Sequence, residues 1–125
     1  MRNVYAFVMA GCMLAGASSA AAQNYPNKPI RFITPYAPGG STSVMARMIG
    51  QHLTERWGQN VIIDNRPGGN TIIGTEPVAR SAPDGYTILL VTSTLSILSS
   101  LTKTPYDPVK DFAPVSLAVS APNIL

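Results

Sequence analysis

Two adjacent glycines followed by three hydroxyl residues make positions 38–43 the stretch of this chain best suited to chemistry. In one-letter code the stretch is PGGSTS. Glycines let a backbone approach a ligand closely, and hydroxyls donate hydrogen bonds. If a helix begins here, its unpaired N–H groups add the positive end of a dipole, and the stretch could hold an anion. A tight turn with Ser41 as helix cap explains the same residues equally well.

Two further polar stretches have a similar character. They are residues 65–70, NRPGGN, and residues 92–94, TST. Arg66 fits either a surface ion pair or a clamp for a carboxylate. Neither these stretches nor the first has the lysine of a phosphate-binding loop or the spacing of a dinucleotide fingerprint. The hydroxyls and amides therefore favour the binding of a small solute over nucleotide chemistry.

Groups suited to catalysis are scarce in the sequence. The one histidine, His52, falls on the flank of a predicted helix, where we interpret it as solvated or packed against that helix. The serine elbow of hydrolases does not occur, and the acidic residues are not spaced as a set of metal ligands. We therefore predict a protein that is not an enzyme and that uses no cofactor and no metal.

Three short apolar runs, about thirty residues apart, must position these polar stretches. They cover residues 30–34, 61–64 and 86–91 and are rich in β-branched and aromatic residues, as buried strands are. Helical periodicity lies between consecutive runs. The alternation predicts an α/β fold, a βαβαβ unit with a parallel sheet, whose loops after the strands converge at one edge.

The first helix is predicted to begin with Ser41 or Thr42 as its cap and to end at Gly58 in the left-handed conformation. Met45 and Met48 are assigned to its buried face.

A second, weaker helix is predicted over residues 71–81, and the inward side chains should be those of Ile72, Ile73 and Val78. Pro77 should kink this helix or stop it early. After the third strand we expect a short helix over residues 95–101, and then an apolar extended run over residues 112–119.

Composition and the N-terminus bear on class and location. Of the 125 residues, 46% are apolar and 12% charged, which predicts a folded chain, and a net charge of +3 does not indicate a nucleic-acid-binding protein. Residues 1–22 have the positive start, apolar run and small final residues of a signal peptide, with cleavage before Gln23. The only cysteine, Cys12, lies in this segment, where lipidation of Cys12 is the alternative to cleavage.

From Tyr25 to the end, the chain resembles the Bug family of periplasmic solute-binding proteins, the receptors of tripartite tricarboxylate transporters. The matching stretches follow the order and spacing of the family. They are YPNKPIR at 25–31, PYAPGG at 35–40, AR at 46–47, GQ at 58–59, NRPG at 65–68, IG at 73–74, PDGYT at 83–87, PYDP at 105–108 and DF at 111–112.

The resemblance implies two α/β lobes that close on a small organic carboxylate or an acidic amino acid, which is passed to membrane permease subunits. It places residues 23–112 in a partial first lobe and residues 113–125 at the start of the crossover toward a second lobe that this chain lacks. The implied location is the periplasm. The implied ligand-binding residues are Tyr36, Gly39, Gly40, Ser41, Thr42, Ser43, Ser93 and Thr94. The alternative is a truncated family fragment with no binding activity of its own.

Two departures from the family pattern concern the first and second polar stretches. Ser43 stands where the family usually has an aspartate shortly after the double glycine. Asn70 and Thr71 stand where the family often has a pair of glycines. We therefore expect an altered ligand preference at Ser43 and a second loop of different shape.

Overall fold

A computed structural model describes residues 25–120 and shows the predicted α/β architecture. In chain order the elements are β1 (Ile30–Thr34), α1 (Ser41–Trp57), β2 (Val61–Asn65), a 3-10 turn (Gly69–Thr71), α2 (Ile72–Ala79), β3 (Thr87–Leu89) and α3 (Thr94–Leu101). The predicted signal peptide, with Cys12, lies outside the described residues. None of the described helices is long and apolar enough to cross a membrane.

The three strands form one parallel sheet in the order β2-β1-β3, so β1 is central. Ile30 of β1 is aligned with Val61 of β2, and Arg31 of β1 is aligned with Thr87 of β3. Since all strands run the same way, the first residues after each strand lie at the same edge of the sheet. The predicted βαβαβ topology is therefore confirmed.

The core lies between α1 and one face of the sheet. Its buried members are Ile30, Phe32, Ala46 and Val61, and partly buried side chains of α1 and the strands pack around them. Alternate residues of β1 point into this core, as expected of a strand that buries side chains on that face. This packing fixes the start of α1 relative to the end of β1.

The ends and faces of α1 agree with the prediction only in part. Gly58 ends the helix with φ of 66°, and its N–H donates to the carbonyl of Thr54 at 2.9 Å, as predicted. The prediction that Ser41 or Thr42 caps the start was wrong, because the helix begins at Ser41 itself and Gly40 occupies the cap position. Met48 is 66% exposed rather than buried, since it lies on the outer stripe of the helix.

The second helix, α2, is shorter than predicted. It contains Pro77 and ends at Ala79, which agrees with the expected early stop. Val78 is buried, but the prediction for Ile73 was wrong: its side chain is exposed and lies over the backbone of Gly68 and Gly69.

The last part of the described chain carries one confirmed and one unconfirmed prediction. The short helix expected at 95–101 is present as α3. Residues 112–119 belong to no strand or helix, and the side chains of Val115 and Leu117 are almost fully exposed.

Candidate functional site

The loops after the three strands come together as the parallel topology requires. We call them the first loop (residues 35–40), the second loop (residues 66–71) and the third loop (residues 90–93). The hydroxyls of Tyr36 and Thr92 are 2.7 Å apart, and the N–H of Thr92 donates to the Tyr36 hydroxyl at 3.2 Å. The first and third loops are therefore in direct contact, as the sequence predicted for this edge.

Asn65, the last residue of β2, connects the second loop to the first. Its Nδ2 donates to the carbonyl oxygen of Tyr36 and to the hydroxyl of Ser43, both at 3.0 Å. The Ser43 hydroxyl is also 3.3 Å from Oδ1 of Asn65, and Ser43 has no exposed surface. Ser43 thus holds the first turn of α1 against β2.

The start of α1 presents backbone donors to this edge. Gly40 caps the helix without a side-chain hydrogen bond, and the first turn contains no acidic residue. The first N–H groups of a helix have no partner within the helix and carry its positive dipole end. Gly39, with φ of 88°, makes the turn that brings the chain to this point. Because no side chain caps the helix, its first N–H groups remain free to bind a ligand. The geometry therefore favours an anion-binding site.

The predicted site residues differ in their exposure. Gly39, Gly40, Ser41 and Ser93 are exposed, Tyr36, Thr42 and Thr94 are half-buried, and Ser43 is buried. All of them lie on the first or third loop or in the first turn of α1 or α3. The structure thus gathers the whole set at one edge.

The second loop has an unusual backbone. Gly68, Gly69, Asn70 and Thr71 all have positive φ, although Asn70 and Thr71 carry a Cβ atom. Gly74 of α2 packs tightly against both loops: a Cβ there would lie 2.6 Å from the carbonyl oxygen of Arg66 in the second loop and 2.8 Å from Cβ of Pro35 in the first. Despite the non-glycine residues, the second loop keeps a conformation suited to glycine.

Charged groups near this edge are paired. The Nε of Arg66 and a terminal nitrogen of Arg31 each lie 2.8 Å from Oδ2 of Asp64. Burial acts to raise the pKa of Asp64, but the two arginine hydrogen bonds outweigh it and lower that pKa. Arg66 is therefore an ion-pair partner, the first of its two predicted roles.

The remaining candidate for catalysis lies elsewhere. His52 is 87% exposed on α1, with its Nδ1 3.6 Å from a carboxylate oxygen of Glu55. Among residues 25–120 no three His, Cys, Asp or Glu side chains are grouped closely enough to hold a metal ion.

Asn65 and Thr92 organise the site, and the sequence placed them in the second and third polar stretches but not among the predicted ligand-binding residues. Asn65 directly follows a strand-like run, and Thr92 directly precedes the predicted Ser93 and Thr94. Both residues directly follow predicted strands, and the residues after parallel strands lie at one edge of the sheet. Their positions therefore indicated that they would lie at this edge. Their partners on other elements could not be read from the sequence.

Comparison with known proteins identifies the family to which the chain belongs. Residues 45–125 match the family described as "Tripartite tricarboxylate transporter family receptor". The chain belongs to this family. The resemblance noted from the sequence motifs is thereby confirmed.

Individual relatives agree with that assignment. Protein BugT of Bordetella pertussis is 42% identical over 121 residues, which cover 92% of this chain and 37% of BugT. The solved structure of the periplasmic binding protein BugD has a TM-score of 0.68 and 40% identity, with 72% of this chain and 30% of BugD covered. MatC from Rhodopseudomonas palustris, solved with bound malate, has a TM-score of 0.69 and 32% identity, with 75% and 33% covered. The chain thus spans about a third of the length of each.

Proposed function

We propose that this chain supplies the first lobe of a periplasmic receptor that binds a small organic carboxylate or acidic amino acid and delivers it to membrane permease subunits. Family membership supports the receptor role, and the malate in MatC supports the ligand class. The observation that carries the proposal is the hydrogen bond between Tyr36 and Thr92, which joins two donor-bearing loops at one edge. The signal peptide expected at residues 1–22 would direct the chain to the periplasm.

The chemistry of the edge suits a carboxylate. An ionised carboxylate only accepts hydrogen bonds, and it is stabilised at the amino end of a helix. In our proposal the unpaired N–H groups at the start of α1 bind one carboxylate of the solute. The remaining exposed or half-buried members of the set flank that carboxylate. They are Gly39, Gly40, Ser41, Thr42, Ser93 and Thr94, together with the ring of Tyr36, whose hydroxyl is bonded to Thr92.

Ser43 takes a different part in this proposal. Because its hydroxyl is buried and paired with Asn65, we assign it to positioning the start of α1 rather than to touching the solute. The neutral residue that replaces the family's usual aspartate then affects the ligand through the geometry of the loop.

A substitution at Gly40 tests the site. Gly40 has φ of −71°, and a Cβ there would meet only the carbonyl oxygen of Ala37 at an ordinary 3.6 Å. Both Asp and Asn are favourable helix caps, so Gly40→Asp and Gly40→Asn should both fold. They differ by one negative charge at the proposed anion-binding site.

Binding of malate to the purified chain would be followed by NMR titration of its amide signals. Gly40→Asp should weaken binding about tenfold through like-charge repulsion, while Gly40→Asn should bind much more tightly than the aspartate variant. An affinity in both variants equal to that of the unaltered chain would place the solute away from α1. If the unaltered chain does not respond to malate, adipate or glutamate, the alternative of a family fragment without binding activity is correct.

A further inference from the structure

A chain of hydroxyl groups crosses from the first loop to α3. The Tyr36 hydroxyl lies 2.7 Å from Oγ1 of Thr92, and that oxygen lies 2.9 Å from Oγ1 of Thr94. Two backbone groups also take part: the N–H of Thr92 donates to the Tyr36 hydroxyl at 3.2 Å, and the N–H of Thr94 donates to Oγ1 of Thr92 at 3.4 Å. We call this series of three hydroxyls, those of Tyr36, Thr92 and Thr94, the relay, and Thr92 is its middle member.

The backbone donors require the protons of the three hydroxyls to run in one direction along the relay. A hydroxyl has one proton and two lone pairs. Oγ1 of Thr92 gives one lone pair to the N–H of Thr94, so of its two hydroxyl neighbours it must accept from one and donate to the other. Two directions satisfy this condition. A phenol is a stronger hydrogen-bond donor than an aliphatic hydroxyl, which favours protons that run from Tyr36 to Thr92 and from Thr92 to Thr94.

The relay leaves one proton without an acceptor. The Thr94 hydroxyl receives a hydrogen bond from Thr92, and within residues 25–120 its own proton is taken by no other group. Thr94 is half-buried and is the first residue of α3, so this proton is available at the edge of the sheet. Hydrogen bonds in such a series polarise one another, which strengthens the last donor.

We infer that Thr92 is a positioning residue that turns the Thr94 hydroxyl into a fixed donor for a carboxylate oxygen of the solute. This inference rests on the proposed function and adds to it a source of selectivity. A fixed donor needs an acceptor opposite it, and a carboxylate always provides one. An amide of the same shape meets the donor only through its neutral carbonyl oxygen, which forms a weaker hydrogen bond than a charged carboxylate oxygen does.

Two variants of Thr92 separate the relay from the shape of the loop. Thr92→Val keeps the branched side chain and removes the hydroxyl, whereas Thr92→Ser keeps the hydroxyl. Affinities of each variant for malate and for malamide, its diamide, would be measured by NMR titration of the chain. Thr92→Val should lower the ratio of malate to malamide affinity about tenfold, and Thr92→Ser should retain the ratio of the unaltered chain.

Tyr36→Phe provides a second route to the same result, since it removes the first donor of the relay and keeps the aromatic ring. It should lower the ratio about threefold. A loop that is merely disturbed would lose affinity for both solutes alike, so an unchanged ratio in Thr92→Val and Tyr36→Phe would overturn the inference.

The remaining outcomes distinguish the inference from the proposed function. If malate binds and Gly40→Asp weakens it while Thr92→Val does not change the ratio, the site stands and the relay is refuted. If the unaltered chain binds no carboxylate, both are refuted together.

Discussion

Replacing Thr71 by glycine should stabilise the fold by about 1 kcal/mol. Thr71 has φ of 79°, and its hydroxyl is buried without a hydrogen-bond partner of good geometry among the described residues. The left-handed conformation costs a residue with a Cβ atom about 1–2 kcal/mol. A buried hydroxyl without a partner costs roughly 1–3 kcal/mol. Thr71→Gly removes both costs.

Two losses oppose this gain. Glycine has more freedom in the unfolded chain, which costs about 0.5–1 kcal/mol, and the buried methyl group of Thr71 contributes about 0.8 kcal/mol. With a gain of about 2.5 kcal/mol, in the lower part of the combined range of about 2–5 kcal/mol, about 1 kcal/mol of stabilisation remains. For a domain of this size that raises the melting temperature by about 4–8 °C.

Urea unfolding of the purified chain, followed by circular dichroism, would measure the change. The midpoint should rise while the slope of the transition stays the same. Asn70→Gly should give a smaller gain, because asparagine tolerates its φ of 51° better than threonine tolerates 79°. Thr102→Gly serves as a control that should destabilise, since Thr102 has an ordinary φ of −140°. If Thr71→Gly destabilises to the same degree as Thr102→Gly, Thr71 carries no strain and the reasoning is wrong.

Two other predictions concern packing and pH. Gly74→Ala should cost about 3 kcal/mol in urea unfolding, because its Cβ would lie 2.6 Å from the backbone oxygen of Arg66. Gly50→Ala should cost only about 1 kcal/mol, because its close neighbour at 2.7 Å is the movable end of a side chain; equal costs would contradict this. Since hydrogen bonds from Arg31 and Arg66 hold the pKa of Asp64 below its ordinary value of 3.8, the stability that Asp64 supplies is complete above pH 3.8 and is lost as the pH falls through the lowered pKa. Asp64→Asn should flatten the loss of stability below pH 3.8, and an unchanged acid profile would show that the ion pairs do not contribute.

The parallel sheet could be predicted because its signals are repeated along the chain. Each strand is an apolar run, and the long amphipathic helix between the first two runs leaves parallel pairing as the simple solution. From that topology alone it followed that residues near Tyr36 and Thr92 would share one edge. These inferences depend on many residues at once, so no single exception could overturn them.

The wrong predictions concern single residues whose burial or role in capping depends on the local geometry of the chain. The position of Met48 along α1 is compatible with either the buried or the exposed face of the helix. The apolar face is wide, and the sequence does not mark where it ends. Ser41 has the right type for a cap, but the turn at Gly39 brings the chain into the helix one residue earlier. Ile73 covers the exposed backbone of the second loop rather than the core, a choice made by tertiary structure.

The pairing of charges decides how an anion can be recognised at this edge. Asp64 engages both Arg31 and Arg66, so the arginine of the second loop is committed to an ion pair. In the proposed function the anion is then held mainly by peptide dipoles and hydroxyls, because Asp64 already balances much of the charge of Arg66. The energy of a dipole falls off faster with distance than that of a charge, so such donors discriminate by exact fit rather than by long-range attraction. If the solute binds here as proposed, the residues that set the direction of each donor should matter to ligand choice as much as the donors do. These residues are Ser43, Asn65 and Thr92.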